Sequence, residues 1–162
     1  MSKRSRILVI DDDKIIRETL ALCLESEGYS VDKAENGQEA IAKSYANFYN
    51  LAIIDWRLPD IEGTKLLHEL KETTPKMAKI MLSGYPSIDN VVDAVNKRAD
   101  CFFVKPVEFD VLLRKVKELL KEQEEALKFS EEKMVGFIET RVREMTCKQE
   151  PTSNPHKREK DS

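Results

Sequence analysis

The chain has 162 residues, 41% hydrophobic and 35% charged, with 27 Lys and Arg set against 30 Asp and Glu. A net charge of −3 and a mean hydropathy of −0.49 exclude a general attraction to nucleic acid or anionic lipid. The longest early apolar run, Ile7 to Ile10, falls well short of a signal-peptide core of roughly 7–15 residues or a membrane span of about 20, so a cytoplasmic protein with no membrane partner is expected.

The length suits one ordinary domain with a surplus of about forty residues. Through the first 120 residues, short apolar runs alternate with longer segments of helical period, which predicts an α/β fold with a doubly wound parallel sheet. The strand candidates are Arg6–Ile10, Tyr29–Ala34, Leu51–Ile54, Lys79–Leu82 and Cys101–Val104. Asp13 is expected to cap the first helix, whose inner face would carry Ile16, Leu20, Cys23 and Leu24, and Gly28 to stop it. Asn36, with Glu39 three residues on, marks the start of the second helix; Gly63 or Thr64 opens the third, which Pro75 has ended. Ile88, Val91, Val92 and Val95 give the fourth an apolar face. Cys23, Cys101 and Cys147 have no disulfide or zinc spacing; the first two read as small buried apolar residues.

In a doubly wound sheet a ligand site lies at the carboxyl ends of the strands. Those positions hold Asp11, Asp12 and Asp13 after the first strand, Asp55 after the third, Ser83 after the fourth and Lys105-Pro106 after the fifth. Two carboxylates 4 Å apart repel by about 4 kcal/mol at an effective dielectric near 20, so the cluster calls for a cation. Oxygen ligands with room for water favour magnesium. Lys105 and Ser83 complete a clamp for a tetrahedral anion, and Asp55, alone on a central strand, is the candidate nucleophile toward a phosphoryl group.

Four segments carry a recognisable pattern: Ile-Leu-Val-Ile-Asp11-Asp12-Asp13, Ile53-Ile54-Asp55-Trp56-Arg57-Leu58-Pro59-Asp60 with Gly63, Met81-Leu82-Ser83-Gly84-Tyr85, and Ala99-Asp100-Cys101-Phe102-Phe103-Val104-Lys105-Pro106. In this order they resemble the receiver domain of two-component response regulators, over about residues 4–121. The resemblance implies a flavodoxin-like five-stranded sheet of order 2-1-3-4-5. It implies that Asp55 accepts a phosphoryl group from a sensor histidine kinase or a phosphotransfer protein. Asp12, Asp55 and the Arg57 backbone carbonyl would ligate magnesium, with Asp11 acting through water. Lys105 and Ser83 would contact the phosphoryl group, Ser83 and Phe102 would form a switch pair, and the Lys105-Pro106 bond would be cis. Arg57 and Tyr85 would flank the entry. Phe102 stands where the family often has Tyr, and Arg98 where it often has Gly before the Ala-Asp pair. Such a chain is a signalling module rather than an enzyme, with at most slow self-dephosphorylation.

The alternative is a magnesium-dependent phosphatase of haloacid-dehalogenase type using Asp11, since Asp11-x-Asp13 also resembles that family's nucleophile motif. Those enzymes need a further acidic pair where this chain has Lys105-Pro106. An FMN site is disfavoured by three Asp in the first loop, and a dinucleotide site by the absence of Gly-x-Gly-x-x-Gly.

The last helix would begin near Glu108 or Phe109, with Leu112, Leu113, Val116, Leu119 and Leu120 inward, and run to about Met145. Residues 122–147 form a helical extension compatible with a coiled coil: a heptad through Leu127, Ser130, Met134 and Phe137 slips phase by one residue at Ile138, Val142 and Met145. Homodimerisation through this helix, a solvated helix and contact with a partner helix are the readings open to it. Residues 148–162 are expected to be disordered, and Lys157-Arg158 is too short a run for nucleic-acid binding. The surplus is too small for a helix-turn-helix output domain, so output is expected through a downstream protein target.

Overall fold

A computed structural model of the chain describes residues 4–84, 87–96 and 99–147, without the side chains at 88–90 and 95. The expectations for Tyr85, Arg98 and the tail 148–162 fall outside the described residues. The described residues fall into two units, divided between Glu125 and Ala126.

In the first unit, strands β1 (Arg6–Ile10), β2 (Ser30–Ala34), β3 (Leu51–Asp55), β4 (Ala78–Ser83) and β5 (Cys101–Val104) alternate with helices. These are α1 (Lys14–Ser26), α2 (Gly37–Ala46), α3 (Gly63–Glu69), α4 (Ile88–Asn96) and the start of α5 (Phe109–Cys147). The sheet is parallel, with order β2-β1-β3-β4-β5, as expected. Parallel pairing buries both faces, which explains why the central strands carry apolar runs such as residues 7–10, 51–54 and 80–82 rather than a strict apolar-polar alternation. Ile7 and Val9 pack with Leu51, Ile53, Ile80 and Leu82 against Leu24 of α1 and Leu112, Val116 and Leu119 of α5. Leu8 and Ile10 point the other way, into a core with Ala52, Ile54, Met81 and residues of α2, α3 and α4. The period of two along each strand therefore divides one apolar run between two cores, and each large side chain so buried is worth about 1.5–3 kcal/mol.

Local signals place the helices well. Asp13 accepts from the backbone N–H of Ile15 and Ile16 at the start of α1. Gly28, at φ +93°, follows its end in the left-handed conformation that glycine adopts without steric cost. The Asn36 side chain accepts from the Glu39 N–H at the start of α2, while the Glu39 carboxylate accepts from the Glu35 N–H. α3 opens at Gly63, and its last residue, Glu69, comes well before Pro75.

Three details differ from the sequence reading. Leu24 of α1 is buried and Leu20 packs half-buried against the same core, as expected, but the other buried residues are Arg17 and Ala21, and Ile16, Leu20 and Cys23 also line an open apolar hollow with Pro106 and Val107. Among the described side chains of α4, Ala94 is buried, Val91 half-buried and Val92 exposed, and the expectations for Ile88 and Val95 lie outside the described side chains. Cys23 and Cys101 are half-buried and Cys147 is exposed. In each helix one face of helical period can be drawn through several adjacent sets of residues, and sheet curvature selects among them. Among the described residues, no helix is long and apolar enough to cross a membrane.

Candidate functional site

The ladder hydrogen bonds continue one step past the strands at the carboxyl edge. The N–H of Asp11 donates to Ala34 O (3.1 Å), that of Trp56 to Leu82 O (2.7 Å) and that of Lys105 to Ser83 O (2.7 Å). The backbones at Asp11, Asp55, Ser83 and Lys105 are therefore fixed by the sheet, which lets their side chains converge with little loop entropy to overcome. A cavity of about 210 Å³ opens there, lined by Asp12, Asp55, Trp56, Arg57, Ser83, Gly84 and Lys105.

Carboxylate oxygens of Asp11, Asp12 and Asp55 all lie within 4.8 Å of one another, with Asp11 and Asp55 buried and Asp12 exposed. Lys105 Nζ reaches over from β5, 2.9 Å from Asp11 Oδ2 and 3.3 Å from Asp55 Oδ1. Its stem follows a cis Lys105-Pro106 bond, as expected; a second cis bond, Thr74-Pro75, was not foreseen. Burial, then the neighbouring Asp11 charge, pushes the Asp55 carboxyl up to about 6 against the opposing pull of Lys105 and the Arg57 backbone N–H. Burial alone would lower the Lys105 pKa, but the hydrogen bond and charge of Asp11, with those of Asp55, hold it above the ordinary lysine value. Lys105 pairs with the two buried carboxylates, Asp11 and Asp55, and Asp12 adds a third acidic group beside them. A hard divalent cation would add positive charge there, and the donor set of carboxylates with a nearby main-chain carbonyl suits magnesium.

The cluster's support comes from residues whose part was not apparent in sequence. Arg17, 9% exposed, donates from Nη1 to Asp11 O at 2.8 Å, holding the acidic loop from below. The Asp13 N–H donates to Asp11 Oδ1 at 2.9 Å, turning one lone pair of that carboxylate away from the cavity. On the β3 side, the Gly63 N–H donates to Trp56 O at 2.8 Å, and Arg57 and Glu62 form an isolated bridge, closing the loop between them. A Cβ on Gly63 would stand 2.6 Å from Asp55 O and 3.0 Å from Trp56 Cα, so only glycine lets α3 begin this close to the acceptor strand. Asp60 receives the N–H groups of Gly37 and Gln38 at 2.8 and 2.9 Å, tying the same loop to the start of α2; these bonds, Gly37's first, lower its pKa. An Arg on an apolar helix face was the one readable hint of Arg17; nothing local marks Gly63 as a point of contact.

Ser83 is buried at the end of β4. Phe102 lies across the sheet from Met81 and meets Trp56 edge-on, ring centroids 6.3 Å apart. Trp56 is 9% exposed and belongs to the core. The structure thus brings Asp11, Asp12, Asp55, Arg57, Ser83 and Lys105 to one cavity or its wall, with Phe102 one ring removed.

The profile of the response regulator receiver domain matches residues 7–117. The chain is 34% identical over 110 residues to the alginate biosynthesis transcriptional regulatory protein AlgB of Pseudomonas aeruginosa, covering 68% of this chain and 24% of that protein. It is 35% identical over 122 residues to the transcriptional regulatory protein ResD of Bacillus subtilis, covering 74% of this chain and 50% of that one. The chain thus spans half the length of these curated relatives or less. Among solved structures, a CheY-like response regulator receiver domain protein from Methanospirillum hungatei superposes with a TM-score of 0.73 at 44% identity, over 76% of this chain and 99% of that one. A response regulator from Burkholderia pseudomallei, determined with a phosphorylated aspartic acid, calcium ion and citrate, superposes with a TM-score of 0.66 at 33% identity, over 76% of this chain and 74% of that one. With the sheet order, the acidic edge and the profile in agreement, the chain belongs to the receiver-domain family of two-component response regulators.

Proposed function

We propose that Asp55 accepts a phosphoryl group from a phosphohistidine on a sensor kinase or phosphotransfer protein, and that the chain signals by contact with a downstream protein. The observation that carries this reading is the convergence of three carboxylates and Lys105 on one small cavity at the end of β3. A carboxylate oxygen of Asp55 attacks phosphorus as the P–N bond breaks, and the imidazole leaves with a proton. Asp12, Asp55 and the Arg57 carbonyl would hold magnesium, with Asp11 acting through water. Bound there, magnesium would neutralise charge on the phosphoryl oxygens. Lys105 is poised to leave its contact with Asp55 for the phosphoryl group, whose oxygens offer it a stronger partner. Ser83 would donate its hydroxyl to the same group, and Phe102 would follow by turning inward, changing the face made by α4, β5 and α5. Exposed Val104 and Val111 give that face apolar anchors for a protein partner.

The chain acts in this reading as a cytoplasmic phospho-acceptor rather than a turnover enzyme, with at most slow self-dephosphorylation. Residues 4–121 are assigned to the receiver and 122–147 to a helical extension, with output by protein contact. The phosphatase alternative draws no support from the site: β5 runs into Lys105-Pro106, and Asp11 is committed to Lys105 and the Asp13 N–H.

Incubation with a small acyl phosphate and magnesium, followed by intact mass, tests the reading. Addition of a single phosphoryl group that disappears in Asp55→Asn is expected. Repeated turnover of a phosphate ester that survives Asp55→Asn and depends on Asp11 would establish the phosphatase instead.

A further inference from the structure

Every residue from 126 to 147 is exposed, yet this part of α5 carries Leu127, Met134, Ile138 and Met145, between 37 and 67% exposed. At 3.6 residues per turn, these four together with Glu131 and Arg141 fall within about 40° of a single line along the helix. Their spacing of four, three, four, three and four residues is a regular heptad seam with Leu127, Met134 and Arg141 at d and Glu131, Ile138 and Met145 at a. The phase slip at Ile138 arises only when the seam is drawn through Ser130 and Phe137; drawn through Glu131 and Ile138 it runs without interruption.

The two charges in that seam choose a partner and a direction. In a parallel pair of identical helices each core residue meets its own copy, so Glu131 would face Glu131 and Arg141 would face Arg141. Two of six layers would then be like-charged. In an antiparallel pair, d of one helix shares a layer with a of the other. Leu127 then meets Met145, Met134 meets Ile138, and Glu131 meets Arg141, each pairing occurring twice. The order apolar, acidic, apolar, apolar, basic, apolar is its own complement on reversal. On the flanks, Phe137 and Val135 lie near the centre, where the same flank of each helix comes together across the two-fold axis, and both are exposed apolar residues, 64 and 53%. Within one helix Arg141 rests over the Phe137 ring, 5.9 Å from its centroid, and has Glu144 at 3.6 Å, so it borders the flank that carries Phe137.

We infer that a second copy of this chain covers the seam, as an antiparallel helix pair over residues 127–145 with Glu131 of each copy set against Arg141 of the other. The inference is independent of the phosphoryl chemistry proposed above, since it rests on residues of the second unit alone.

Sedimentation of the full chain at tens to hundreds of micromolar is expected to show a dimer that Ile138→Glu converts to a monomer. Glu131→Arg is expected to weaken the dimer, and Glu131→Arg with Arg141→Glu to restore it. Direction is read by cross-linking in a background with Cys23, Cys101 and Cys147 replaced by Ala. Mixed Leu127→Cys and Met145→Cys chains are expected to form a disulfide with each other while neither forms one alone. Self-cross-linking of Leu127→Cys would establish a parallel pair and overturn the inference. A monomer throughout the concentration range would overturn it too and leave the seam to a helix of a different protein. Circular dichroism confirms that each variant retains its helix, so loss of fold is not read as loss of dimer.

Discussion

The carboxyl edge of the sheet and the distal part of α5 use charge in opposite ways. At the edge, Asp11, Asp55 and Lys105 are drawn out of water by the strands that carry them, and their mutual distances near 3 Å matter because solvent screens them poorly. Along residues 126–147 every charge is solvated, and charge contributes by deciding which partner the apolar seam accepts rather than by holding a site together. The difference teaches that burial, rather than the number of charged residues, sets what a charge does.

That contrast can be broken or sharpened by substitution, most sharply with one change made in both regions. Gly63→Ala forces a Cβ to 2.6 Å from the Asp55 carbonyl and 2.7 Å from Met81 Cε. It is expected to cost about 3 kcal/mol in denaturant melts and to abolish labelling by an acyl phosphate. Gly136→Ala meets nothing within 4 Å on the exposed helix and is expected to stabilise it by about 1 kcal/mol, read from helix content against temperature.

Between those extremes lies Asp55→Asn in chelator. The folded state raises the Asp55 pKa from 3.8 to about 6, so the native protein binds the extra proton between these values and loses stability as pH rises through them. The neutral variant escapes that loss. Its advantage over the parent should be absent below about pH 4, grow to about pH 6 and stay constant above, reaching some 1–3 kcal/mol in paired thermal melts. A flat difference across that range would show that Asp55 is solvated rather than buried against Asp11.

Smaller effects test the same idea. Thr64 is fully buried and its hydroxyl finds no hydrogen-bond partner among the described residues, so Thr64→Val should stabilise by about 1 kcal/mol in urea melts. Lys121→Ala, which removes an ion pair to Glu125 at 4.0 Å between two well-exposed side chains, should leave the midpoint unmoved in the same melts.

Strand positions, helix starts and the convergence of Asp11, Asp12, Asp55, Ser83 and Lys105 were legible because each rests on local chemistry: apolar runs, caps at Asp13 and Asn36, and polar residues placed just after strands. The inner face of α1 was not. Leu24 belongs to either candidate face, and that Arg17 and Ala21 are buried while Ile16, Leu20 and Cys23 stay half-buried is decided by packing against the sheet. The same holds for the distal helix, where two seams share Leu127, Met134 and Arg141 and exposure of the whole segment removes the usual sign of an inner face.

By itself the sequence determined the alternation that makes this a parallel sheet, the residues standing at its carboxyl edge, and the charge pattern of the distal helix. Those are properties of near neighbours, set by periods of two and 3.6 residues and by the fit of particular side chains to turns and caps. Only the tertiary structure decided that Arg17 holds the Asp11 carbonyl, that Gly63 must lack a side chain beneath Asp55, and that Asp60 ties the acceptor loop to α2. Arg17 reaches back to Asp11 from α1, α3 folds back on the end of β3, and the loop after β3 meets the start of α2; each depends on how a helix or loop returns to the sheet edge, which no cap or period records.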